Sequence, residues 1–219
     1  FEKLHFHLNG SVENTRAMLK LTDGNQTTNL DWSKLEVDTT ALAAAPKSYE
    51  AYRVKLMENA NGISFMKGAT NTYASHGAKE RTQGDLEYVI DTDNHTANAA
   101  NSVDLEAYQF QNKQNAVFTA ADGTKAEAWG GRTKVGNKVE NNKLTVTGGT
   151  INATAYGGLV ENNRTGGATG DAAKNTIAIS GGTVVHAYGA EVRTKDGNAT
   201  ENTAEITGGT ATNVYGAAL

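Results

Sequence analysis

Short runs of alternating apolar and polar residues recur in the second half of the chain. Their apolar positions are Leu144 and Val146, Ile177 and Ile179, and Ala204 and Ile206. A period of two residues is typical of a β-strand that buries one face. Each run ends in a Gly-Gly pair, which permits a sharp corner because glycine tolerates positive φ. A second short stretch suited to a strand follows each corner, so the pattern predicts a strand, a corner and another strand.

These runs belong to a repeat that reads N-x-φ-x-φ-[ST]-G-G-T, where φ is apolar, followed four or five residues later by an aromatic residue and a glycine. The four copies begin at Asn115, Asn142, Asn175 and Asn202, and their aromatic residues are Trp129, Tyr156, Tyr188 and Tyr215. The aromatic residues lie 27, 32 and 27 positions apart. Two strands and two corners in about 27 residues make one coil of a β-solenoid, which buries its inner face only by stacking on its neighbours.

Stacking in register places equivalent residues above one another, about 4.8 Å apart. The four asparagines and the four aromatic residues are therefore predicted to form two structural ladders. Buried amides in such a ladder satisfy one another by hydrogen bonds, and stacked rings add about 0.5–1.5 kcal/mol per pair. The alternative interpretation is a functional one, in which the tyrosine ladder stacks on sugar rings.

The first half of the chain is less regular. Residues 4–8, 17–22 and 30–37 fit strands, and residues 48–57 fit either a helix or a strand, with the strand favoured. Asn61 opens a segment like the repeat core and precedes Asn115 by 54 positions, which suggests a degenerate coil around residues 86–91. We therefore predict an all-β fold. An irregular β region over residues 1–114, either degenerate coils or a cap, precedes a regular parallel β-solenoid over residues 115–219.

Composition narrows the classes of function. The 219 residues include 20 basic and 24 acidic ones, giving a net charge of −4, which does not suit a nucleic-acid-binding protein. Cysteine is absent, so disulfides and thiolate metal sites are excluded. No nucleophile elbow, phosphate loop or zinc-helix motif occurs in the sequence. We predict a non-enzymatic protein with no catalytic residue and no cofactor.

Two patterns resemble parts of metal sites. His5 and His7 lie on one face of a predicted strand and would form half of a zinc site, but the sequence places no third ligand. Asp91 and Asp93 resemble the start of a calcium loop whose later glycine and glutamate are missing. Exposed polar positions are the simpler interpretation of both, and no metal site is predicted.

The second half resembles the passenger region of bacterial type V autotransporters, whose repeats read N-x-V-x-I-S-G-G-T followed by a short strand and Y-G-G. The match is specific over residues 175–189, good over 142–158 and 202–217, and looser over 115–131. It covers about half of the chain. The segment Leu4–Leu8, with Asn14 and Met18–Thr22, also resembles a block found in this class of passengers.

The resemblance implies a surface or extracellular protein that is exported across the outer membrane and anchored through a barrel not present in this chain. It further implies adhesion or autoaggregation, with a glycan or protein of a host or bacterial surface, or a second copy, as the partner. Two alternatives remain open from the sequence. One is an enzyme that acts on polysaccharide from a β-helical scaffold, and the other is a passive stalk or spacer.

The loops that follow the aromatic-glycine pairs are the candidate contact surface. They cover residues 131–141, 158–174 and 190–201, and insertions at one corner of a solenoid gather on one face. A plain solvated turn has the same composition, so that interpretation stays open. The candidate ligand-binding residues are Asn162, Asn163, Arg164, Glu191, Arg193 and Lys195.

Overall fold

The computed structural model describes residues 2–8, 16–22, 28–31, 34–38, 51–65, 79–83, 86–92, 99–111, 116–161, 170–194 and 196–219. Over these described residues it is nearly all β, and it is a parallel β-solenoid of about 5 turns with roughly 28 residues per coil. The predicted fold class is thereby confirmed. The chain divides into two compact units, Phe1–Ala45 with Tyr52–Ala107, and Pro46–Ala51 with Tyr108–Leu219.

The described residues of the less regular half include eight strands. They are β1 (Leu4–His7), β2 (Leu19–Leu21), β3 (Thr28–Leu30), β4 (Leu35–Asp38), β5 (Ala51–Phe65), β6 (Lys79–Gln83), β7 (Leu86–Thr92) and β8 (Ala99–Gln109). Strand β1 pairs with β4, and β2 and β3 both pair with β5, in parallel. The ambiguous segment is a strand from residue 51 onward, with Val54 and Leu56 buried on the same face.

The segment of the predicted degenerate coil around residues 86–91 lies between β6 and β8 in its sheet. These residues form β7, which pairs antiparallel with β6, for example Lys79 with Ile90. The reason is the length of the connection, because only two residues separate Gln83 from Leu86. A two-residue link can join antiparallel strands, whereas a parallel pair needs a crossover of a dozen residues or more.

The regular half contains the stacked coils. Its strands are β9 (Ala116–Phe118), β10 (Thr124–Thr133), β11 (Val139–Glu140), β12 (Lys143–Val160), β13 (Ala172–Ala173), β14 (Thr176–Val192), β15 (Ala199–Thr200) and β16 (Thr203–Ala218). One sheet has the order β10-β12-β14-β16, with β9 also on β12, and a second has the order β11-β13-β15. Every pair in both sheets is parallel.

Each coil differs from the predicted two strands and two corners. In the coils that carry a Gly-Gly pair, the two predicted strands form one long strand that bends at that pair, where the pairing register shifts. A third, short strand lies inside each predicted loop. The inner face is apolar because the alternating residues stack on their equivalents: Leu144 on Ile177, and Ile151 on Val184, all fully buried.

The first repeat copy is aligned one residue away from its predicted position. Ala116 pairs with Leu144 and Phe118 with Val146, whereas the repeat pattern had placed Val117 opposite Leu144. Phe118 is therefore completely buried, and Val117 is 42% exposed. A 3₁₀ turn at Ala120–Asp122 replaces the Gly-Gly corner of the other coils and accommodates the altered spacing.

Within the described ranges, no helix combines the length and the apolar character needed to cross a bilayer.

Candidate functional site

Asn142, Asn175 and Asn202 form a hydrogen-bonded ladder at the corner where each coil begins. Nδ2 of Asn142 donates to Oδ1 of Asn175 at 2.9 Å, and Nδ2 of Asn175 donates to Oδ1 of Asn202 at 3.0 Å. The same two oxygens accept the backbone N–H groups of Asn142 and Asn175. Asn115, the fourth predicted member, lies outside the described residues. Gln111 Oε1 accepts from Nδ2 of Asn142 at 3.0 Å, so a glutamine without any repeat signature continues the ladder.

A left-handed residue precedes each ladder asparagine. Asn141, Lys174 and Glu201 have φ values of 58°, 56° and 54°. This conformation reverses the chain between the short strand and the long strand of each coil. Non-glycine residues adopt it at a cost of about 1–3 kcal/mol, and they keep it only where surrounding contacts fix the backbone. The asparagine hydrogen bonds supply such contacts at this corner.

The aromatic residues occupy a second ladder. Trp129, Tyr156, Tyr188 and Tyr215 are in register on successive strands. The rings of Tyr156 and Tyr188 are 6.0 Å apart and those of Tyr188 and Tyr215 are 4.9 Å apart, with interplanar angles of 16° and 12°. Tyr156 is fully buried, whereas Tyr215 is 44% exposed. An incoming sugar ring therefore has access at the Tyr215 end of the ladder and not at Tyr156.

The structure brings two of the sequence-predicted binding residues, Glu191 and Arg193, into contact. Nη2 of Arg193 lies 2.8 Å from Oε2 of Glu191. Nη1 of Arg193 donates to Oε1 of Glu161 at 3.0 Å, and its Nη2 donates to the hydroxyl of Tyr156. The guanidinium of Arg193 thus joins residues of β12 and β14, together with Glu161 immediately after β12.

Sequence reasoning missed the other half of this cluster. Nε of Arg132 donates to Oε2 of Glu161 at 2.6 Å, and both residues are buried. The Arg132 guanidinium also lies 4.5 Å from the ring centre of Trp129, in a cation–π contact. A signal for the cluster exists in the repeat register. Val160 pairs with Val192, so Glu161 and Arg193, which follow them, put opposite charges on adjacent coils. Arg132 is in register with Leu159, so the register gives no such signal for Arg132.

The charged groups of this cluster link neighbouring coils of the solenoid to one another. Burial raises the pKa of the Tyr156 hydroxyl, with the nearby Arg193 charge opposing the effect. Burial lowers the pKa of Arg193, but the hydrogen bond to Glu191 and the charges around it raise that pKa overall. Arg193 therefore stays charged and Tyr156 stays protonated at neutral pH. Glu161 and Glu191 accept hydrogen bonds from arginine, so the cluster ties adjacent coils together.

The candidate loops meet at one side of the coils through β11, β13 and β15, and we call the surface they form the loop face. It includes Lys138, Glu140, Asp171 and Asn198, and it belongs to the ranges 131–141, 158–174 and 190–201. Oδ1 of Asp171 accepts the backbone N–H and Nδ2 of Asn198 at 2.8 and 3.2 Å. Nζ of Lys138 lies 2.6 Å from Oε2 of Glu140, and this hydrogen bond raises the pKa of Lys138. Asn162, Asn163, Arg164 and Lys195 lie outside the described residues.

The imidazoles of His5 and His7 stack with ring centres 4.3 Å apart. Each faces a carboxylate on β4: Nδ1 of His7 lies 3.3 Å from Asp38, and Nδ1 of His5 lies 4.0 Å from Glu36. These are exposed side-chain contacts across two parallel strands. In the part of the chain that the structure describes, no group of three or more His, Cys, Asp or Glu side chains is arranged to hold a metal ion. Asp93 of the calcium-like segment lies outside that part.

Two surfaces therefore remain as candidates for contact with a partner. One is the polar loop face, where Lys138, Asp171 and Asn198 occupy equivalent positions of successive coils, and the other is the exposed end of the tyrosine ladder at Tyr215. No protein-family model, no curated protein and no solved structure matches this chain.

Proposed function

We propose that this chain is a non-enzymatic segment of an autotransporter passenger, exposed at the cell surface, that binds a surface glycan or protein through its loop face. The observation that carries the proposal is the stacking of the repeats into parallel coils in register. A repeat of this kind has no central cleft of its own. It offers instead an extended lateral surface on which successive coils place polar side chains at equivalent positions.

The mechanism is multivalent contact. Successive coils place equivalent side chains about 4.8 Å apart, so a polymeric ligand meets Lys138, Asp171 and Asn198 in a row. Each contact with an exposed polar group is weak, but contacts made by one rigid body combine because later ones form at high effective concentration. The asparagine ladder supports this role because it holds neighbouring coils in fixed register. The cluster of Arg132, Glu161, Glu191 and Arg193, which we call the arginine cluster, does the same.

A loop replacement tests the proposal. Residues 162–169 connect Glu161 to Gly170, and in the next coil the three residues 194–196 make the equivalent connection from Arg193 to Gly197. A variant in which Thr-Lys-Asp replaces residues 162–169 shortens the loop to a length that the fold already accepts. We expect the purified chain to bind a subset of a glycan and extracellular-matrix array, and we expect the variant to lose that binding.

The matched control is Asn152→Ala, an exposed position on the long strand β12 away from the loop face. It should bind the array as the unaltered chain does. Circular dichroism and the thermal midpoint show whether the loop variant keeps the fold. Unchanged array binding by a folded loop variant removes the loop from the proposal. Absence of binding by the unaltered chain rejects adhesion and favours a stalk.

A further inference from the structure

Tyr188 and Tyr215 stack more closely than Tyr156 and Tyr188. The two residues are register partners on the parallel strands β14 and β16. Their ring centres lie 4.9 Å apart at an interplanar angle of 12°, against 6.0 Å for Tyr156 and Tyr188. Parallel pairing in register points both side chains to the same face. The ring carbons beside the two hydroxyl groups are therefore brought next to each other.

Tyr188 also differs from Tyr156 in its surroundings. It is half-buried although a coil covers it on each side, so its exposure is lateral and belongs to the coil itself. Tyr156 is fully buried, and its hydroxyl donates to Glu127 at 3.3 Å and accepts from Arg193. These contacts hold the ring of Tyr156 in place. Within the ladder, the pair with both the shorter distance and access from solvent is Tyr188 with Tyr215.

Two phenol rings in this relation can be joined by oxidation. Each hydroxyl loses one electron and one proton, and the resulting phenoxyl radicals form a carbon–carbon bond beside their oxygens. The hydrogens on the two joined carbons then move to the oxygens and restore both hydroxyl groups. Overall two electrons and two protons leave, and hydrogen peroxide takes them up to give two molecules of water. The ring torsion of tyrosine is broad, so stacked rings can turn edge to edge for this bond.

We infer that Tyr188 and Tyr215 are a site of oxidative modification, at which a haem peroxidase with hydrogen peroxide joins the two rings as dityrosine within one chain. The haem supplies the one-electron chemistry, and the solenoid supplies the pairing of the rings. The bond would tie β14 to β16 and so hold two successive coils together covalently. A cross-link between residues distant in sequence restricts the unfolded chain, as a disulfide does. The site is separate from the loop face and does not depend on adhesion.

Peptide mapping of the oxidised full chain tests the inference. The purified chain is treated with a haem peroxidase and hydrogen peroxide, and the monomer is digested with trypsin and analysed by tandem mass spectrometry. Cleavage after Lys174, Arg193 and Lys195 places Tyr188 on residues 175–193 and Tyr215 on residues 196–219. We expect these two peptides joined, with a mass lower than their sum by two hydrogen atoms. The yield per chain should not change on dilution, because the link forms within one molecule.

Tyr215→Phe removes one phenol of the pair and keeps its ring. The joined peptide and the dityrosine fluorescence of the monomer should both be lost. The matched control is Tyr156→Phe, which removes a phenol from the same ladder and should leave both signals unchanged. Circular dichroism establishes that both variants are folded. The inference is overturned by a monomer without the joined peptide, by a link that forms only between chains, or by equal dityrosine fluorescence in folded Tyr215→Phe. A link from residues 144–164, which carry Tyr156, to residues 175–193 in its place also overturns it.

Discussion

Nδ2 of Asn142 donates a hydrogen bond of 2.9 Å to Oδ1 of Asn175, a residue 33 positions later in the sequence. The same oxygen accepts the backbone N–H of Asn142 at 3.1 Å. The side-chain oxygen of Asn175 therefore accepts hydrogen bonds from both the side chain and the backbone of Asn142 in the neighbouring coil. This pairing fixes the vertical register at the corner, where the left-handed residues reverse the chain.

Asn175→Leu should be strongly destabilising. Asn175 is fully buried, and its side chain also donates to the carbonyl oxygen of Val139 and to Asn202. Leucine has a similar size but makes none of these side-chain hydrogen bonds, and each buried group that loses its partner costs about 1–3 kcal/mol. Because these costs are not additive, we expect the free energy of unfolding to fall by about 3–5 kcal/mol, measured by urea denaturation.

Asn202→Leu is the matched control for that change. Asn202 belongs to the same ladder but is only half-buried, so water reaches part of the groups that the substitution leaves unpaired. Its loss of stability should be smaller than that of Asn175→Leu. If both substitutions lowered the free energy of unfolding equally, the burial of a ladder asparagine would not determine how much it stabilises the fold.

Phe118→Ala and Val117→Ala distinguish the observed register of the first coil from the register that the repeat suggests. Phe118 is fully buried, so its truncation should cost about 3–5 kcal/mol. Val117→Ala removes an exposed side chain and should change stability by less than about 0.5 kcal/mol. Chemical denaturation of both variants provides the measurement, and the opposite ranking would restore the predicted alignment.

The register of the first coil shows why the sequence predicts some coils better than others. In the later copies, identical Gly-Gly corners fix the spacing, and the residues pair as the repeat implies, such as Tyr156 with Tyr188. In the first copy a 3₁₀ turn replaces the corner. Its Asp122 carboxylate accepts hydrogen bonds from the backbone N–H and hydroxyl of Thr119, an interaction that an alignment of repeats does not contain.

The arginine cluster shows a second reason why prediction from the sequence is incomplete. The sequence singled out Glu191 and Arg193 because they lie in a charged loop, and the structure pairs them. Glu161 and Arg132 were missed because neither belongs to the repeat motif, and their pairing needs the exact position at which each long strand ends. Knowledge of the backbone register places them one coil apart, and the contact between them then follows from opposite charge.

Glu161→Gln tests the contribution of that cluster. Glu161 accepts hydrogen bonds from both Arg132 and Arg193. The substitution removes the negative charge that lies 2.6 Å from Nε of the buried Arg132, so we expect a loss of about 3 kcal/mol in the free energy of unfolding. Arg193→Met should cost less, because the Arg193 side chain is 39% exposed and solvent screens its pairs. A larger effect of Arg193→Met than of Glu161→Gln would contradict this assignment.

Gly189→Val should prevent proper stacking of the last coil. A Cβ at this position would meet the carbonyl oxygen of Gly216 and the backbone of Thr203, and neither is free to move without breaking the sheet. We expect a loss of at least about 3 kcal/mol in the free energy of unfolding. Gly216→Val is its matched control and should cost less than Gly189→Val, since its Cβ would meet only the carbonyl oxygen of Asn202, at 3.2 Å.

The buried hydroxyl of Tyr156 should make stability fall in alkaline solution. Burial raises the pKa of this hydroxyl in the folded chain, whereas the unfolded chain releases the proton near the ordinary tyrosine pKa of about 10. Above that pH the folded state binds more protons than the unfolded state, so rising pH favours unfolding. Thermal midpoints of the unaltered chain and of Tyr156→Phe, compared between pH 8 and pH 11, isolate the effect of Tyr156. The midpoint of the unaltered chain should fall more steeply than that of the variant, and parallel curves would show that Tyr156 ionises equally in both states.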